Sequence, residues 1–416
     1  MRVPLALGLA ALGLARVAAA AVPLRTAAPA EVRRLEPLAA RGELALIESH
    51  PDGRLKQVTI YTVANAPPDK VHYVLAHPNE YPDFVANIAH AQVTGQTAAG
   101  GVYYDWELEV PLINLKGQSR MTFGAPPAPG AAPVVDVETI RGDVPNGTWR
   151  WQLLPAQGGR TIIAYHGYAD ITRSSWVLRK LISHNRTIEH GAVLASGIVF
   201  VKAVKLRAEA LAGRGDGKRP RMDQSLERHV TLQSIKGTFD QLALQPLLER
   251  GQVAFLESFS DGRLRQANLL SYVYVPEQDI FKVVSTPSEF AKFVPGLERS
   301  QVLKDDGRDA VYELEIHVPI LPNIEYKTHM RREPEAERVR QTCIAGDAKG
   351  SVYGWDFVEL GPRQTLAIYG LNGQLRKQSW FMRQMIKSEP FFEHGLNVSV
   401  ALVTMMAMRG HAEGWR

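Results

Sequence analysis

The sequence predicts an α+β protein that contains two copies of one domain in tandem. Three observations predict it: a long stretch occurs twice, each copy continues into strands of alternating polarity, and each copy closes with a long helix. Alternation gives a strand one buried and one solvated face, which is typical of an antiparallel sheet. Strands followed by helices, rather than interleaved with them, indicate the α+β class.

The duplication keeps a constant offset over its first part. Residues of the second copy lie 209 positions after their counterparts, as in Arg41-Gly42 and Arg250-Gly251, Glu48-Ser49 and Glu257-Ser258, and Asp52-Gly53 and Asp261-Gly262. Towards the end of each copy the offset is 204, where Glu189-His190-Gly191 returns as Glu393-His394-Gly395. Each unit of about 170 residues has a normal domain size. We expect a first domain over 36–212, a linker over 213–244 and a second domain over 245–416.

Charge and cysteine content exclude some partners and sites. The net charge is +5, and the basic cluster at Arg214–Arg221 has no alternating aromatic residues, so we expect no nucleic-acid partner. Cys343 is the single cysteine, so no disulfide forms within the chain. It lies in the alternating run Val339–Ile344, which predicts a small core residue rather than a nucleophile.

The amino terminus has the pattern of a signal peptide over residues 1–20. Arg2 precedes an apolar run from Val3 to Leu14, and the small residues Ala18–Ala21 follow. We expect cleavage close to Ala20 and a periplasmic or secreted mature chain. An uncleaved anchor is the alternative, although the apolar run is short for a membrane span.

The first unit begins with a hairpin and a helix. Leu44–Ile47 and Lys56–Val63 are predicted strands on either side of a turn at Pro51-Asp52-Gly53. Pro67-Pro68-Asp69 starts a helix, because proline is tolerated in a first helical turn, and Pro78 ends it. Further strands are predicted over Val102–Val110, Leu115–Phe123, Val134–Ile140, Thr148–Leu154 and Thr161–Ala169.

Each unit closes with a long helix. We expect it over Ile188–Leu211 in the first copy and Phe391–Arg409 in the second, after a shorter helix such as Trp176–Ser183. Pro390 predicts a break before the second long helix, with a matching break near Asn185 in the first. The helices are apolar on nearly all sides, so a second face should pack on the other domain or on a membrane surface.

The order of these elements resembles the START-like superfamily, also called SRPBCC, polyketide cyclase or coenzyme Q-binding proteins. The resemblance rests on Ala66-Pro67-Pro68-Asp69-Lys70-Val71 leading into His77-Pro78-Asn79-Glu80-Tyr81-Pro82-Asp83-Phe84-Val85, on Val275-Pro276-Glu277 leading into Thr286-Pro287-Ser288-Glu289-Phe290, and on the closing helix. It implies two tandem helix-grip domains, each a curved antiparallel sheet wrapped around a long C-terminal helix. An apolar cavity between sheet and helix would hold a lipid, sterol, quinone or polyketide. The superfamily has no shared catalytic motif.

The predicted ligand-binding residues alternate on one face of the strands or lie on the closing helix. In the first unit they are Trp106, Leu108, Trp149, Trp151, Tyr165, Ala192 and Ala195, and in the second Leu314, Ile316, Tyr353, Trp355, Tyr369 and Leu396. Small residues on the first helix should leave room for a guest, whereas the bulkier second helix predicts a smaller pocket. The alternative is that these residues form plain core.

The sequence offers little support for catalysis. The histidines show no metal-binding motif, and we expect no cofactor and no metal. His166 is either an acid–base residue or a buried, hydrogen-bonded histidine. Glu189-His190 and Glu393-His394 form either a polar contact at a helix start or an anchor for a ligand head group.

We therefore expect binding or transport of a hydrophobic small molecule, with peripheral membrane contact as a further interaction. Two alternatives stay open. One is an enzyme of the cyclase or dehydrase type on the same fold, and the other is a structural or assembly protein whose cavities have collapsed.

Overall fold

The computed structural model describes residues 24–110, 113–174, 179, 187–216, 230–317, 323–374 and 380–415. The first copy, including its leader, contains α1 Pro29–Arg34, α2 Glu36–Ala39, β1 Glu43–Ser49, β2 Leu55–Ala64, α3 Pro68–Ala76, α4 Tyr81–Phe84, β3 Ile88–Gln96, β4 Val102–Val110, β5 Ile113–Gly124, β6 Val134–Gly142, β7 Thr148–Ala156, β8 Arg160–Tyr168 and α5 Thr187–Leu211. The predicted signal peptide, the break near Asn185 and nearly all of the helix predicted over Trp176–Ser183 lie outside the described residues.

The second copy repeats this order. It contains α6 Gln241–Leu248, β9 Gln252–Ser258, β10 Leu264–Val273, α7 Glu277–Val284, β11 Leu297–Asp305, β12 Asp309–Ile316, β13 Ile324–Glu333, β14 Arg338–Gly346, β15 Val352–Gly361, β16 Gln364–Asn372, α8 Trp380–Ser388 and α9 Phe392–Ala412. The predicted break at Pro390 is confirmed, because α8 ends at Ser388 and α9 begins at Phe392. Strands β3 and β11 were not predicted.

The described strands form one continuous antiparallel sheet of sixteen strands. Their order is β11-β12-β13-β14-β15-β16-β10-β9-β1-β2-β8-β7-β6-β5-β4-β3, so β1 and β9 join the two halves. The join is centred on Ala45 opposite Ala254, which occupy the same position in their copies. An antiparallel pair centred on equivalent residues relates the two halves by an approximate twofold axis.

The two long helices pack on the sheet and on each other. Helix α5 lies on β2 and β8, helix α9 lies on β10 and β16, and α5 also contacts α9. The predicted second packing face is thus covered by the other half, and no membrane surface is needed to cover it. Among the described helices, none is long and apolar enough to cross a membrane.

The contact between α5 and α9 depends on small residues. A Cβ atom added to Gly191 would overlap the side chain of Ser399, and one added to Gly395 would overlap Ala195. These two pairs are equivalent under the approximate twofold axis, because each joins corresponding positions of the repeat. Small residues here allow the helix backbones to approach closely.

The sequence motifs that occur in both copies also lie at the join. Arg41 forms an ion pair with Glu257 at 3.3 Å, and Arg250 forms the equivalent pair with Glu48 at 3.0 Å. A Cβ atom on Gly42 would overlap the carbonyl oxygen of Leu256, and Gly251 stands in the same relation to Ile47. The repeated Arg-Gly and Glu-Ser pairs therefore serve the interface between the halves.

A segment that precedes each copy covers the sheet face opposite the long helices. The backbone N–H of Arg25 donates to Gln57 Oε1 at 2.8 Å, and Gln57 Nε2 donates back to the Arg25 carbonyl oxygen at 3.0 Å. Gln266 makes the same reciprocal pair with Gln233, at 2.9 and 3.0 Å. The end of the predicted linker is therefore held on the sheet. We call the face covered by these segments the convex face and the face under α5 and α9 the concave face.

We predict that Gly395→Ala destabilises the protein although alanine favours a helix over glycine by about 1 kcal/mol. The new methyl group overlaps Ala195, and overpacking of this kind costs about 1–3 kcal/mol. Chemical denaturation measures the free energy of unfolding. Gly361→Ala is the control, since a Cβ atom there meets nothing within 4 Å. Adding Ala195→Gly should restore stability, and an unchanged Gly395→Ala midpoint would contradict the close contact.

Candidate functional site

Part of the concave face of the first half is covered by a cluster of aromatic side chains. Trp151 and Tyr165 lie on neighbouring strands with ring centroids 4.8 Å apart, and Phe200 of α5 covers Trp151 at 5.6 Å. Tyr81 contacts Phe200 from α4 at 5.3 Å. Trp151 is only 2% exposed, so this part of the predicted pocket wall is covered by other protein side chains.

The concave face becomes progressively more exposed along β4 and β12. In β4, Tyr104 is buried whereas Trp106 and Leu108 are half-buried. In β12 the equivalent Tyr312 and Leu314 are buried whereas Ile316 is half-buried. The predicted residues Trp149, Tyr353, Ala192 and Leu396 are also half-buried. Both halves therefore present apolar surface at corresponding ends of their strands.

The helix residue opposite this face differs between the halves. Phe200 fills the space over Trp151 in the first half, but Thr404 occupies the same position in α9. The Thr404 hydroxyl donates to the Val400 carbonyl oxygen at 2.9 Å, and Trp355 stacks on Tyr369 at 4.3 Å. We predicted the smaller pocket in the second half from its bulkier helix. The exchange of Phe200 for Thr404 opens space in the second half, whereas the exchange of Gly117 for Tyr326 fills it, so the order of the two pockets stays a prediction.

Ala195 does not lie at the predicted pocket wall. It packs against Gly395 at the contact between α5 and α9, where the small side chain is required by the helix backbones. The small residues along α5 are visible in the sequence. Their spacing does not show which alanine faces the other helix and which faces the pocket. Gly197 contacts Tyr165 and Ile60, so it is a glycine that brings α5 close to the sheet.

His166 lies on the convex face and takes no part in the concave one. Its Nδ1 is 3.1 Å from Thr59 Oγ1, and its Nε2 is 2.9 Å from Gln152 Oε1. Burial, and then the charges of Arg150 and Arg250, lower the pKa of His166 to about 3. His166 is therefore a neutral, hydrogen-bonded core histidine.

A small cavity lies on the convex face. It is lined by residues that include Leu38, Leu44 and Phe255, and its volume of about 10 Å³ is room for one water molecule.

The repeated histidines bind serines at the join between the halves. His190 Nε2 is 2.9 Å from Ser49 Oγ, and His394 Nε2 is 3.0 Å from Ser258 Oγ. Both histidines are fully buried. Burial, followed by the charge of Lys202, lowers the pKa of His394 well below its usual value. The serines were repeated in the sequence, but nothing in the sequence paired them with the histidines.

A buried ion pair lies beside one of these histidines. Lys202 of α5 donates to Glu43 Oε2 of β1 at 2.8 Å, and its Nζ is also 3.4 Å from Ser258 Oγ of β9. Burial alone would raise the pKa of Glu43, but the charges of Lys202, Lys205 and His394 lower it to about 2. At the equivalent positions the second copy has Gln252 and Met406, so the pair occurs on one side of the twofold axis.

Within the described part of the chain, no group of histidine, cysteine, aspartate and glutamate could hold a metal ion. Cys343 is buried in β14 beside Thr328, with Sγ and Oγ1 3.5 Å apart. Burial raises the pKa of the Cys343 thiol to about 11. It is therefore a protonated core residue at neutral pH.

No protein-family profile matches the chain, and no curated protein matches it. Among solved structures, the STAR-related lipid transfer protein of Xanthomonas axonopodis is 17% identical, with a TM-score of 0.33 over 41% of this chain and 95% of that one. The di-domain ARO/CYC BexL of the BE-7585A biosynthetic pathway is 11% identical, with a TM-score of 0.30 over 86% and 97%. A START superfamily protein from Mycobacterium smegmatis is 14% identical, with a TM-score of 0.28 over 37% and 98%.

The structural neighbours are START-type proteins. The sequence resemblance predicted neighbours of this kind, and the di-domain structure covers both copies of the repeat. At such low TM-scores the likeness carries no argument about ligand or reaction.

We predict that Glu43→Gln destabilises the protein by about 3–5 kcal/mol, because it leaves the Lys202 ammonium buried without its counter-charge. The double variant Glu43→Gln/Lys202→Met copies Gln252 and Met406 of the second half. It should recover most of the lost stability, as apolar replacements of a buried ion pair often do. Urea denaturation at neutral pH measures both. A double variant no more stable than Glu43→Gln would contradict this account of the pair.

Proposed function

We propose that the chain binds a hydrophobic small molecule, such as a lipid, sterol or quinone, on the concave faces of two helix-grip domains. In each domain the curved half-sheet would wrap around its long helix, α5 or α9. The single observation that carries the proposal is the half-buried apolar surface at the ends of β4 and β12, present at equivalent places in both halves.

Exposed apolar surface of this kind supports a ligand site. A filled core would bury Trp106, Leu108 and Ile316 as fully as it buries Tyr104 and Tyr312. Ligand sites are mostly apolar clefts with a few placed polar groups. The alternative of a structural or assembly protein with collapsed cavities gives no reason for large apolar side chains to stay half-buried at the same place in both copies.

The titratable groups of the concave face favour binding over acid–base catalysis. Burial raises the pKa of Tyr326 and Tyr353 well above the usual value for a phenol, and it raises that of Cys343 to about 11. These groups therefore stay protonated at neutral pH and can donate hydrogen bonds. They are poor bases, whereas a cyclase or dehydrase needs a base whose pKa lies near the working pH.

We also propose that the chain is exported, on the basis of the signal-peptide pattern over residues 1–20. We expect N-terminal sequencing of the mature protein from a culture's periplasm or medium to show cleavage close to Ala20. Export depends on the apolar run, so replacing Leu9 with Arg should retain the protein in the cytoplasm. A mature chain that begins at Met1 would contradict cleavage.

Native mass spectrometry of the purified full-length mature chain, followed by solvent extraction, tests the proposed binding. We expect an apolar molecule to co-purify with the protein. Ala192→Trp fills the half-open side of the first concave face, so it should weaken binding there about tenfold or more in Kd, a loss of about 1.4 kcal/mol or more, and lower the amount of ligand that co-purifies. Leu242→Trp is the control, because Leu242 is 75% exposed on α6. Full occupancy in a folded Ala192→Trp variant would place the ligand elsewhere.

A further inference from the structure

Helix α9 has an apolar outward face besides the faces that pack on the sheet and on α5. Its residues recur at the three- and four-residue spacing of one helix face, and they are Leu396, Val400, Val403 and Ala407. Val400 is 38% exposed and the other three are half-buried, and none of them belongs to the hydrophobic core of the described residues. The face turned to the sheet is complete without them, since it carries the fully buried residues Val398, Leu402 and Met405. We call the four outward residues the outer stripe.

The corresponding face of α5 shows that the fold does not require an exposed apolar stripe. Ser196 occupies the position of Val400 and is exposed, whereas Val199 occupies the position of Val403 and is buried. In the first half, the exposed position is thus polar and the apolar position is covered. The outer stripe of α9 leaves both positions apolar and uncovered, which is typical of a surface that meets a partner.

The exposed charges beside the outer stripe are basic. Arg383 and Lys387 lie on α8, just before α9 begins, and both residues are exposed. Glu393 is the only acidic residue in the sequence of α8 and α9, and it is 8% exposed. Basic residues next to an apolar helix face complement a surface that is anionic outside and apolar inside, as a bilayer with anionic lipids is.

Exposed aromatic residues lie at the other end of the outer stripe. Trp415 packs on Gly410, which follows Val403 by seven residues and therefore lies on the same side of the helix. Tyr274 lies nearby, because the Arg409 guanidinium contacts the rings of Tyr274 and Trp415 at 5.4 and 5.1 Å. The two aromatic residues are 51% and 53% exposed. Tryptophan and tyrosine are enriched where a membrane meets water, since their rings are apolar and their polar groups stay hydrated.

We propose that α8 and α9 form a docking surface for a bilayer that contains anionic lipids. The outer stripe, about 17 Å long, would lie in the plane of the headgroups with Val400 against the lipid. Arg383 and Lys387 would contact lipid phosphates. The helix rests on the bilayer without crossing it, because its opposite face is fixed to the sheet.

A second copy of the chain fits this surface less well. A twofold contact between two outer stripes would join two copies of the same basic surface. It would supply no acidic counterpart for Arg383 and Lys387, since Glu393 is buried. Docking on a bilayer also does not depend on a ligand in the concave faces, so this inference stands or falls separately from the proposed function.

Cosedimentation of the purified mature chain with lipid vesicles tests the charged part of the surface. We expect binding to vesicles of mixed phosphatidylcholine and phosphatidylglycerol, much weaker binding to phosphatidylcholine alone, and weakening by salt, which screens the attraction. Arg383→Gln/Lys387→Gln should raise the Kd for mixed vesicles about tenfold or more, because each basic residue near an anionic surface contributes about a fivefold factor. Arg33→Gln/Arg34→Gln is the control, since it removes two exposed arginines from α1 on the convex side.

A second variant tests the apolar part. Leu396→Ala/Val400→Ser copies Ala192 and Ser196 of α5, so we expect it to fold. It should raise the Kd for mixed vesicles about fivefold or more, because it removes apolar area that the bilayer would bury. Leu242→Ser is the control, because Leu242 is 75% exposed on α6, away from the outer stripe.

The remaining outcomes would overturn the inference. They are no binding to either kind of vesicle, equal binding to both kinds, and unchanged binding of both double variants. Sedimentation velocity without lipid tests the other occupant: a wild-type dimer that Leu396→Ala/Val400→Ser converts to a monomer would assign the outer stripe to a second copy. Should that double variant fail to fold by circular dichroism, Val400→Ser alone must raise the Kd at least about twofold.

Discussion

The pairing of β1 with β9 is the constraint on which the rest of the structure depends. It joins two equivalent strands about Ala45 and Ala254, and it therefore fixes the approximate twofold axis. Gly42 and Gly251 stand directly before these strands, where a Cβ atom would overlap a carbonyl oxygen of the partner strand, so no side chain fits at either position. The same axis brings α5 and α9 together, and the small residues at their contact follow from that proximity.

The twofold frame also shows where the halves have diverged. Near the axis, Arg41 and Arg250 keep their partners in both halves, but the buried pair of Glu43 and Lys202 has no counterpart. Far from the axis, the concave faces exchange Trp149, Phe200 and Val137 of the first half for Tyr353, Thr404 and Gln341 of the second. The twofold arrangement restricts the residues where β1 meets β9 and where α5 meets α9. The strand ends of each half lie away from these contacts and can carry different side chains.

Much of the fold was predictable because its signals are local. Alternation along Val102–Val110 placed β4 to the residue, and Pro390 marked the break between α8 and α9. Strand β3 was missed because its outward face is polar and exposed, which leaves few buried side chains to show the alternation. The duplication predicted two domains, but local patterns carry no information about which strands meet across copies, so the single sheet could not be predicted.

The candidate site was predictable only in part, for a similar reason. Alternation assigned Trp106, Trp151, Leu314 and Trp355 to one face. It could not separate Ala192, which lies beside the sheet core, from Ala195, which faces the other helix. The repeated Glu-Ser and Glu-His-Gly motifs were recognised, yet their role at the join needed three-dimensional proximity. A repeated motif can stabilise each half by itself or can form the contact between the halves. Repetition in the sequence does not show which of these two roles it has.

The join has a consequence for how the chain avoids aggregation. A half on its own would expose β1 or β9 as an unpaired, largely apolar edge, which is a template for strand addition by another chain. Tethering two such edges in one polypeptide makes their association intramolecular, at an effective concentration that separate molecules would not reach in a cell. The edges left at the ends of the sheet are β3 and β11, whose exposed residues are mostly polar or charged. Gene duplication and fusion thus turn an association-prone strand into the interior of the sheet.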